Sequence, residues 1–237
     1  MLTLEELPNP PTQEYSLQTN LNLYESPNCK NLVTQAATGR QLRLLSGRDP
    51  AGIRFAARAI EVCLCEDGYS GWLPHSSTSA LQPATTAYQP QKYSRAEIEQ
   101  KIPQIIAFTR AAMQCPNYYL WGGTVAPNYD CSGLMQAAFA ASGIWLPRDS
   151  YQQAAFTQSI EIEELRPGDL IFFQQTARVS HVALYLGEGQ YIHSSGKDIG
   201  RNGIGIDELS EDSNEVSRAY YQQLWGAGRV MTSYQPH

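Results

Sequence analysis

A thiol is a strong nucleophile only as the thiolate, so a cysteine that does chemistry needs help in losing its proton. Of the five cysteines (29, 63, 65, 115 and 131), Cys131 stands where such help is at hand. It follows the polar, glycine-containing stretch 122–130. It also opens a run in which Leu134, Met135, Ala138 and Phe139 recur at helical spacing. That places it at a helix N-terminus, where the dipole and the free amides of the first turn favour a negative sulfur and can donate to an oxyanion. The bland reading is a buried structural thiol. Flanking by Asp130 and Ser132 favours the polar mouth of a helix instead.

The proton must go to a base, and histidine suits neutral pH. Four histidines exist: His75 lies in a Pro/Ser/Thr-rich stretch, His237 ends the chain, and His181 and His193 lie on neighbouring expected strands. In Ser180-His181-Val182-Ala183-Leu184-Tyr185-Leu186, His181 alternates with the apolar Val182, Leu184 and Leu186. In Gln190-Tyr191-Ile192-His193, His193 points opposite Ile192. Gly187-Glu188-Gly189 joins the two as a hairpin-like connection. Adjacent antiparallel strands can bring two imidazoles within hydrogen-bond reach. Cys131 is then the nucleophile, His181 the base, and His193 the group that orients the base. A lone histidine among apolar residues is more often a core residue; two so paired, with a poised cysteine upstream, make the catalytic reading stronger.

These side chains need elements to hold them. Ser94 and Glu97 have capping-box spacing, and Ile98, Ile102, Ile105 and Ile106 follow as a helix, with Pro103 predicting a kink or a break. A second helix is expected from Cys131 to Ser142, with Gly143 as its stop, and a third from near Ser150 with Gln153 as box partner. Strands follow at 169–174, 181–186, 191–194 and 220–230. Helices first and strands later is an α+β pattern. Before all this, residues 21–24, 42–45, 59–64 and 67–74 read as short strands of a small β-barrel. Prolines, serines and threonines crowd 74–93. The expected organisation is therefore a β-barrel domain at 1–75, a linker at 76–93 and an α+β domain at 94–237.

Composition excludes several other functions. A net charge of −6 and a pI near 5.2 argue against nucleic acid and anionic membranes, which reward clustered Lys and Arg. No apolar stretch is long enough to span a bilayer. The opening Met1-Leu2-Thr3-Leu4-Glu5-Glu6-Leu7-Pro8 is acidic where an export signal would be basic and then apolar, and the odd cysteine count suits a reducing compartment. Cys63-Leu64-Cys65 reads as packed thiols on a strand, because no Cys or His pair completes a metal site. No metal or other cofactor is expected.

Several strings also carry a family resemblance. Tyr119-Leu120-Trp121-Gly122-Gly123, Asp130-Cys131-Ser132-Gly133-Leu134, Leu146-Pro147-Arg148, Pro167-Gly168-Asp169-Leu170-Ile171-Phe172-Phe173 and Ser180-His181-Val182-Ala183-Leu184-Tyr185-Leu186 together resemble the NlpC/P60 cysteine peptidases over about 93–230. The resemblance implies a compact papain-like α+β fold and a triad of Cys131, His181 and His193. It implies hydrolysis of peptidoglycan stem peptides, commonly between γ-D-Glu and the diamino acid. It also implies Tyr119 beside the nucleophile, where it helps bind the oxyanion. The first segment resembles a bacterial SH3 domain in Asn20-Leu21-Asn22-Leu23-Tyr24-Glu25-Ser26-Pro27 and Asp67-Gly68-Tyr69-Ser70-Gly71-Trp72-Leu73-Pro74, with residues 39–59 looking like an insertion.

One SH3-like module without an export signal resembles the layout of intracellular murein-recycling peptidases, which cut small soluble peptides that begin with a free L-Ala. The expected partner is thus a small murein peptide, met in the cytoplasm; the sequence assigns no oligomeric state. Such an enzyme needs an anion for the peptide ammonium. Asp130 is the first candidate; Ser132 serves the pocket or only the first helical turn, and Glu66 and Tyr69 complete the pocket if the first domain packs against the cleft, with Glu66 reading equally well as a solvated turn residue. The competing readings are an exported hydrolase of intact wall, an amidase or acyltransferase on the same fold, and a non-catalytic wall-peptide binding protein.

Overall fold

The computed structural model describes residues 13–45, 55–56, 58–199 and 201–236. The opening segment, residues 47–50 of the expected insertion and His237 lie outside them. Two compact units divide the chain: Met1–Pro90 with Gln235–His237, and Gln91–Tyr234.

The first unit is one antiparallel sheet. Its strands are β1 (Glu14–Leu17), β2 (Leu21–Tyr24), β3 (Leu32–Ala36), β4 (Gln41–Leu44), β5 (Phe55–Ala56), β6 (Ala59–Leu64), β7 (Ser70–Pro74) and β8 (Leu81–Pro83). They run in the order β3-β2-β7-β6-β4-β1-β8, with β5 paired to β6. Alternation sorts the side chains. Tyr15, Leu17, Leu21, Leu23, Leu42, Leu44, Ile60, Val62, Leu64, Leu73 and Leu81 form one core, drawn from nearly every strand. Each such burial stabilises the unit by about 1.5–3 kcal/mol.

The expected linker is built differently. Residues His75–Ala80 form a 3-10 turn and Leu81–Pro83 pair with β1. Tyr88 N–H then bonds to the Glu14 carboxylate. Prolines and threonines do not prevent an edge strand, and here backbone pairing and Leu81, 2% exposed, anchor the segment. The division between the units accordingly falls at Pro90.

In the second unit α1 (Arg95–Gln114) opens with the Ser94–Glu97 box and continues through Pro103 without a break. Pro103 is exposed, so its missing N–H lies on the solvent side, while Ile98, Ile102 and Ile105 hold the helix from beneath. A short hairpin, β9 (Thr124–Val125) and β10 (Asn128–Tyr129), leads into α2 (Cys131–Ala140). In α3 (Ser150–Phe156) the cap is Asp149 rather than Ser150, and Gln152 Oε1 accepts from Asp149 N–H at 3.1 Å.

The sheet follows: β11 (Gln158–Ile160), β12 (Leu170–Phe173), β13 (His181–Gly187), β14 (Gln190–Ser195), β15 (Gly203–Glu208), then α4 (Glu215–Tyr221) and β16 (Leu224–Arg229). Its order is β11-β16-β12-β13-β14-β15, antiparallel throughout. The strand expected over 220–230 is thus shorter at its start. Asn214 accepts from Ser217 N–H at 3.0 Å and nucleates α4, which takes Tyr220 out of the strand. One face of the sheet packs Val182, Leu184 and Ile192 against α1 and α2. The other packs Ile171, Phe173, Ala183 and Tyr191 against Tyr220.

Candidate active site

The nucleophile's position is set by its neighbours on the chain. Asp130 caps α2, its Oδ1 accepting from Gly133 N–H at 2.7 Å. Its Oδ2 accepts from Gly122 N–H at 2.8 Å, so one carboxylate ties the preceding loop to the helix. Arg148, 2% exposed, closes the knot with Nη1 at 3.1 Å from Oδ1 and Nη2 at 2.6 Å from Oδ2. Its Nη1 also donates to Ser132 Oγ at 3.0 Å. Gly133 must be glycine here, because a Cβ on it would lie 2.0 Å from the carbonyl oxygen of Gly123.

From sequence, Asp130 is offered to a substrate ammonium, and Ser132 to the pocket or to the first helical turn. Within the chain, their contacts build the start of the helix. The carboxylate is neutralised by a forked Arg148 and bound by two amides, and the Ser132 hydroxyl is held between the same groups. Both shape the loop and first turn that present Cys131. Arg148, given no role from sequence, is the cation that makes this buried knot tolerable.

His181 opens β13 and His193 lies on β14. Their rings meet through His181 Nε2 and His193 Nδ1, 2.8 Å apart. The Cys131 sulfur draws on the N–H groups of Val182 and Ser132. The expected pairing of the histidines is therefore present, and Cys131 sits against the residue that follows His181. Tyr119 is half-buried within electrostatic range of Cys131. Burial and the neighbouring sulfur push its hydroxyl far above the usual phenol range, so it remains a donor.

Three residues that sequence reasoning missed complete the arrangement. Asp207, on β15, accepts from His193 Nε2 at 2.8 Å through Oδ2. Arg201 donates to the same carboxylate through Nε at 3.0 Å and Nη2 at 2.6 Å. Tyr220 stacks on His181 and bonds Ser195 Oγ at 2.7 Å through its hydroxyl. The available signal for Asp207 is the alternation of Ile204 and Ile206 in Gly203-Ile204-Gly205-Ile206-Asp207, which marks a strand beside β14.

Electrostatics follow burial. A helix N-terminus predicts a lowered thiol pKa, but burial, followed by the nearby Asp130 charge, pushes Cys131 up to about 12; the two amides oppose this without prevailing. Burial also drives His181 well below its ordinary value, with His193 adding to the effect. His193 is lowered by burial despite Asp207. For Asp207 burial alone would raise the pKa; the hydrogen bonds from His193 and Arg201 outweigh it and hold the carboxyl below its ordinary value. At neutral pH these groups are therefore a neutral thiol, two neutral imidazoles and the Asp207 carboxylate.

Glu66 and Tyr69 lie in the first unit. Glu66 Oε2 pairs with Arg40 Nε at 3.0 Å and Oε1 accepts from Gln41 N–H at 2.7 Å. Tyr69 N–H bonds to Asp67 Oδ1 at 3.0 Å. Glu66 is buried, not the solvated turn residue of the alternative reading. Cys63 and Cys65 are buried thiols in the same unit.

The Gln91–Tyr234 unit can now be set beside known proteins. The NlpC/P60 family profile matches residues 116–229. The murein DD-endopeptidase MepS/murein LD-carboxypeptidase of Escherichia coli K12 is 30% identical over 149 residues, covering 61% of this chain and 78% of that protein. The chain belongs to the NlpC/P60 family. This is a family of peptidases, and the first unit carries a matching profile too: the bacterial dipeptidyl-peptidase Sh3 domain, over residues 23–77. The gamma-D-glutamyl-L-lysine dipeptidyl-peptidase of Bacillus subtilis is 40% identical over 86 residues, 34% of this chain and 29% of that protein. The probable endopeptidase p60 of Listeria monocytogenes is 41% identical over 112 residues, 47% of this chain and 21% of that protein. The chain thus spans well under half the length of these two relatives. An NlpC/P60 protein structure from Bacillus cereus aligns with 92% of this chain and 64% of its own, at a TM-score of 0.49 and 24% identity.

Proposed function

We propose that this NlpC/P60 peptidase is a cysteine endopeptidase that hydrolyses the γ-D-Glu–diamino acid bond of small murein peptides with a free N-terminal L-Ala. The observation that carries the chemistry is the hydrogen-bonded pair of His181 and His193 beside the capped helix start at Cys131. The bond class is supported by the Bacillus relatives named gamma-D-glutamyl-L-lysine dipeptidyl-peptidase and by the dipeptidyl-peptidase Sh3 profile. Removal of a dipeptide requires a free amino group two residues from the scissile bond, and L-Ala-γ-D-Glu is such a dipeptide.

In this reading the thiol gives its proton to His181 Nδ1 as the sulfur bonds to the γ-carbonyl carbon. Tyr119 donates to the resulting oxyanion. Collapse expels the amine of the diamino acid, which takes the proton back from His181 and leaves a thioester. Water then attacks the thioester, giving its proton to His181, and the γ-carboxylate and thiol are regenerated. The function we propose on this reading is recycling of soluble wall fragments, in the cytoplasm.

A second reading keeps the chemistry and changes the substrate. The Listeria and Escherichia relatives are named as a probable endopeptidase and a murein DD-endopeptidase, which favours action on intact wall. Incubation with L-Ala-γ-D-Glu-diaminopimelate and, separately, with purified sacculi decides between them, with released products followed by mass spectrometry. Release from the tripeptide alone supports recycling, and cell fractionation then tests the location. Release from sacculi supports wall hydrolysis. No release from either, by a folded protein with Cys131→Ala as control, leaves a binding role and overturns the peptidase reading.

A further inference from the structure

His181 and His193 can hold their protons in two arrangements, and only one leaves His181 able to take a proton from Cys131. We propose that Asp207 is a positioning residue that selects this arrangement, fixing the tautomer of His193 and, through it, that of His181. The proposal rests on the cysteine-peptidase reading above.

Each proton is fixed by the partner of the nitrogen that carries it. A carboxylate only accepts, so His193 Nε2, 2.8 Å from Asp207 Oδ2, must carry its proton. Neutral His193 then has a bare Nδ1, 2.8 Å from His181 Nε2. The His181 nitrogen must donate to it, so His181 carries its proton on Nε2 and leaves Nδ1 bare for the thiol. One anion on β15 thereby sets the direction of two bonds leading to the sulfur. Burial keeps both rings neutral, so the direction is a choice between tautomers and not of charge.

The carboxylate is itself fixed in place. Oδ1 accepts from Arg201 Nη2 at 2.6 Å and from Asn214 Nδ2 at 3.2 Å. Oδ2 accepts from Arg201 Nε at 3.0 Å as well as from His193. An asparagine at this position must choose. Its carbonyl oxygen belongs at the Oδ1 site, where neither donor can give up its proton, Asn214 being held by Ser217 N–H, whereas at the Oδ2 site His193 can; its amide therefore faces His193 Nε2. The amide donates, His193 moves its proton to Nδ1, and His181 must follow with its own on Nδ1. The whole relay then points the wrong way, and the Arg201 Nε bond to this position is lost while its Nη2 bond is kept.

The test is spectroscopic first. Ring 15N resonances of His181 and His193, measured in the Cys131→Ala protein without substrate, are expected to show both rings protonated on Nε2. Adding Asp207→Asn is expected to move both protons to Nδ1. A proton on Nδ1 of either ring in the first protein overturns the proposal, and so does an unchanged pair in the second. In the active enzyme, Asp207→Asn is expected to lower kcat by roughly 10²-fold or more with little change in KM. Wild-type kcat in that variant overturns the proposal. If the wild type cleaves no murein peptide, the peptidase reading falls, while the ring resonances still decide the tautomers.

Discussion

The ring of Tyr220 lies stacked on that of His181, with centroids 4.4 Å apart and planes 28° from parallel. The same ring meets His193 edge-on at 4.8 Å. A residue of α4 therefore covers both imidazoles, and burial is the main cause of their lowered pKa values. Tyr220→Leu is expected to admit water, raise the His181 pKa toward its ordinary value and move the acid limb of kcat/KM to higher pH. Activity near pH 7 should change by less than about 2-fold from this cause, because an imidazole of ordinary pKa is mostly neutral there, and the loss should grow as pH falls below that value. Tyr220→Phe keeps the stack and loses only the Ser195 bond, so its acid limb should stay in place. Identical limbs for Tyr220→Leu and the wild type would show that the ring does not dry the base.

Arg148 is buried against Asp130, and breaking such a pair by removing one partner leaves an uncompensated charge. Arg148→Met is expected to destabilise the protein by about 3–5 kcal/mol in urea unfolding. Arg148→Lys keeps the charge but not the fork, and should lose less. Equal stability of Arg148→Met and wild type would mean that the knot contributes nothing net.

Gly133→Ala places a methyl group against the backbone carbonyl of Gly123, which cannot swing aside as a side chain can. The expected cost is about 3 kcal/mol or more, with loss of peptidase activity because the start of α2 moves. Unperturbed thermal melting and turnover would contradict the close approach.

Stability should fall on acidification below the ordinary histidine pKa. The unfolded chain takes up protons on His181 and His193 as pH drops through 6.5, whereas the native state resists them because both folded pKa values are lowered. The contribution is thus full above 6.5 and is lost as pH falls toward the folded values. Asp207, also lowered, adds a loss of the same sign below 3.8. Melting temperatures taken from about pH 7 to about pH 5 check this, and a flat profile would contradict it. His193→Asn should reduce the slope.

Much of the fold and site is legible in the sequence because local chemistry decides it. Ser94 and Glu97 announce α1, Cys131 opens α2, and alternation around His181 and His193 places both on strands. What escapes depends on partners distant in the chain. Asp207 matters only because β15 lies beside β14, and Arg148 only because it reaches back to Asp130. Tyr220 reads as a strand residue because its aromatic neighbours fit one; the Asn214 cap, a short-range signal, overrules that pattern. Pro103 predicts a kink or a break, and there is no break: a helix held by Ile98, Ile102 and Ile105 absorbs one missing bond on its solvent side.

The buried, protonated state of Cys131 bears on how the enzyme survives oxidants. Peroxides and disulfides react with thiolates, and a thiol pushed up to about 12 exposes almost none at neutral pH. Cys131 is 5% exposed, whereas Cys115, at the end of α1, is open to solvent. A brief peroxide pulse followed by peptide mapping should find sulfenic or sulfinic acid at Cys115 before Cys131. The reactive sulfur lies dormant between turnovers, and the first thiol an oxidant meets is one that catalysis does not need.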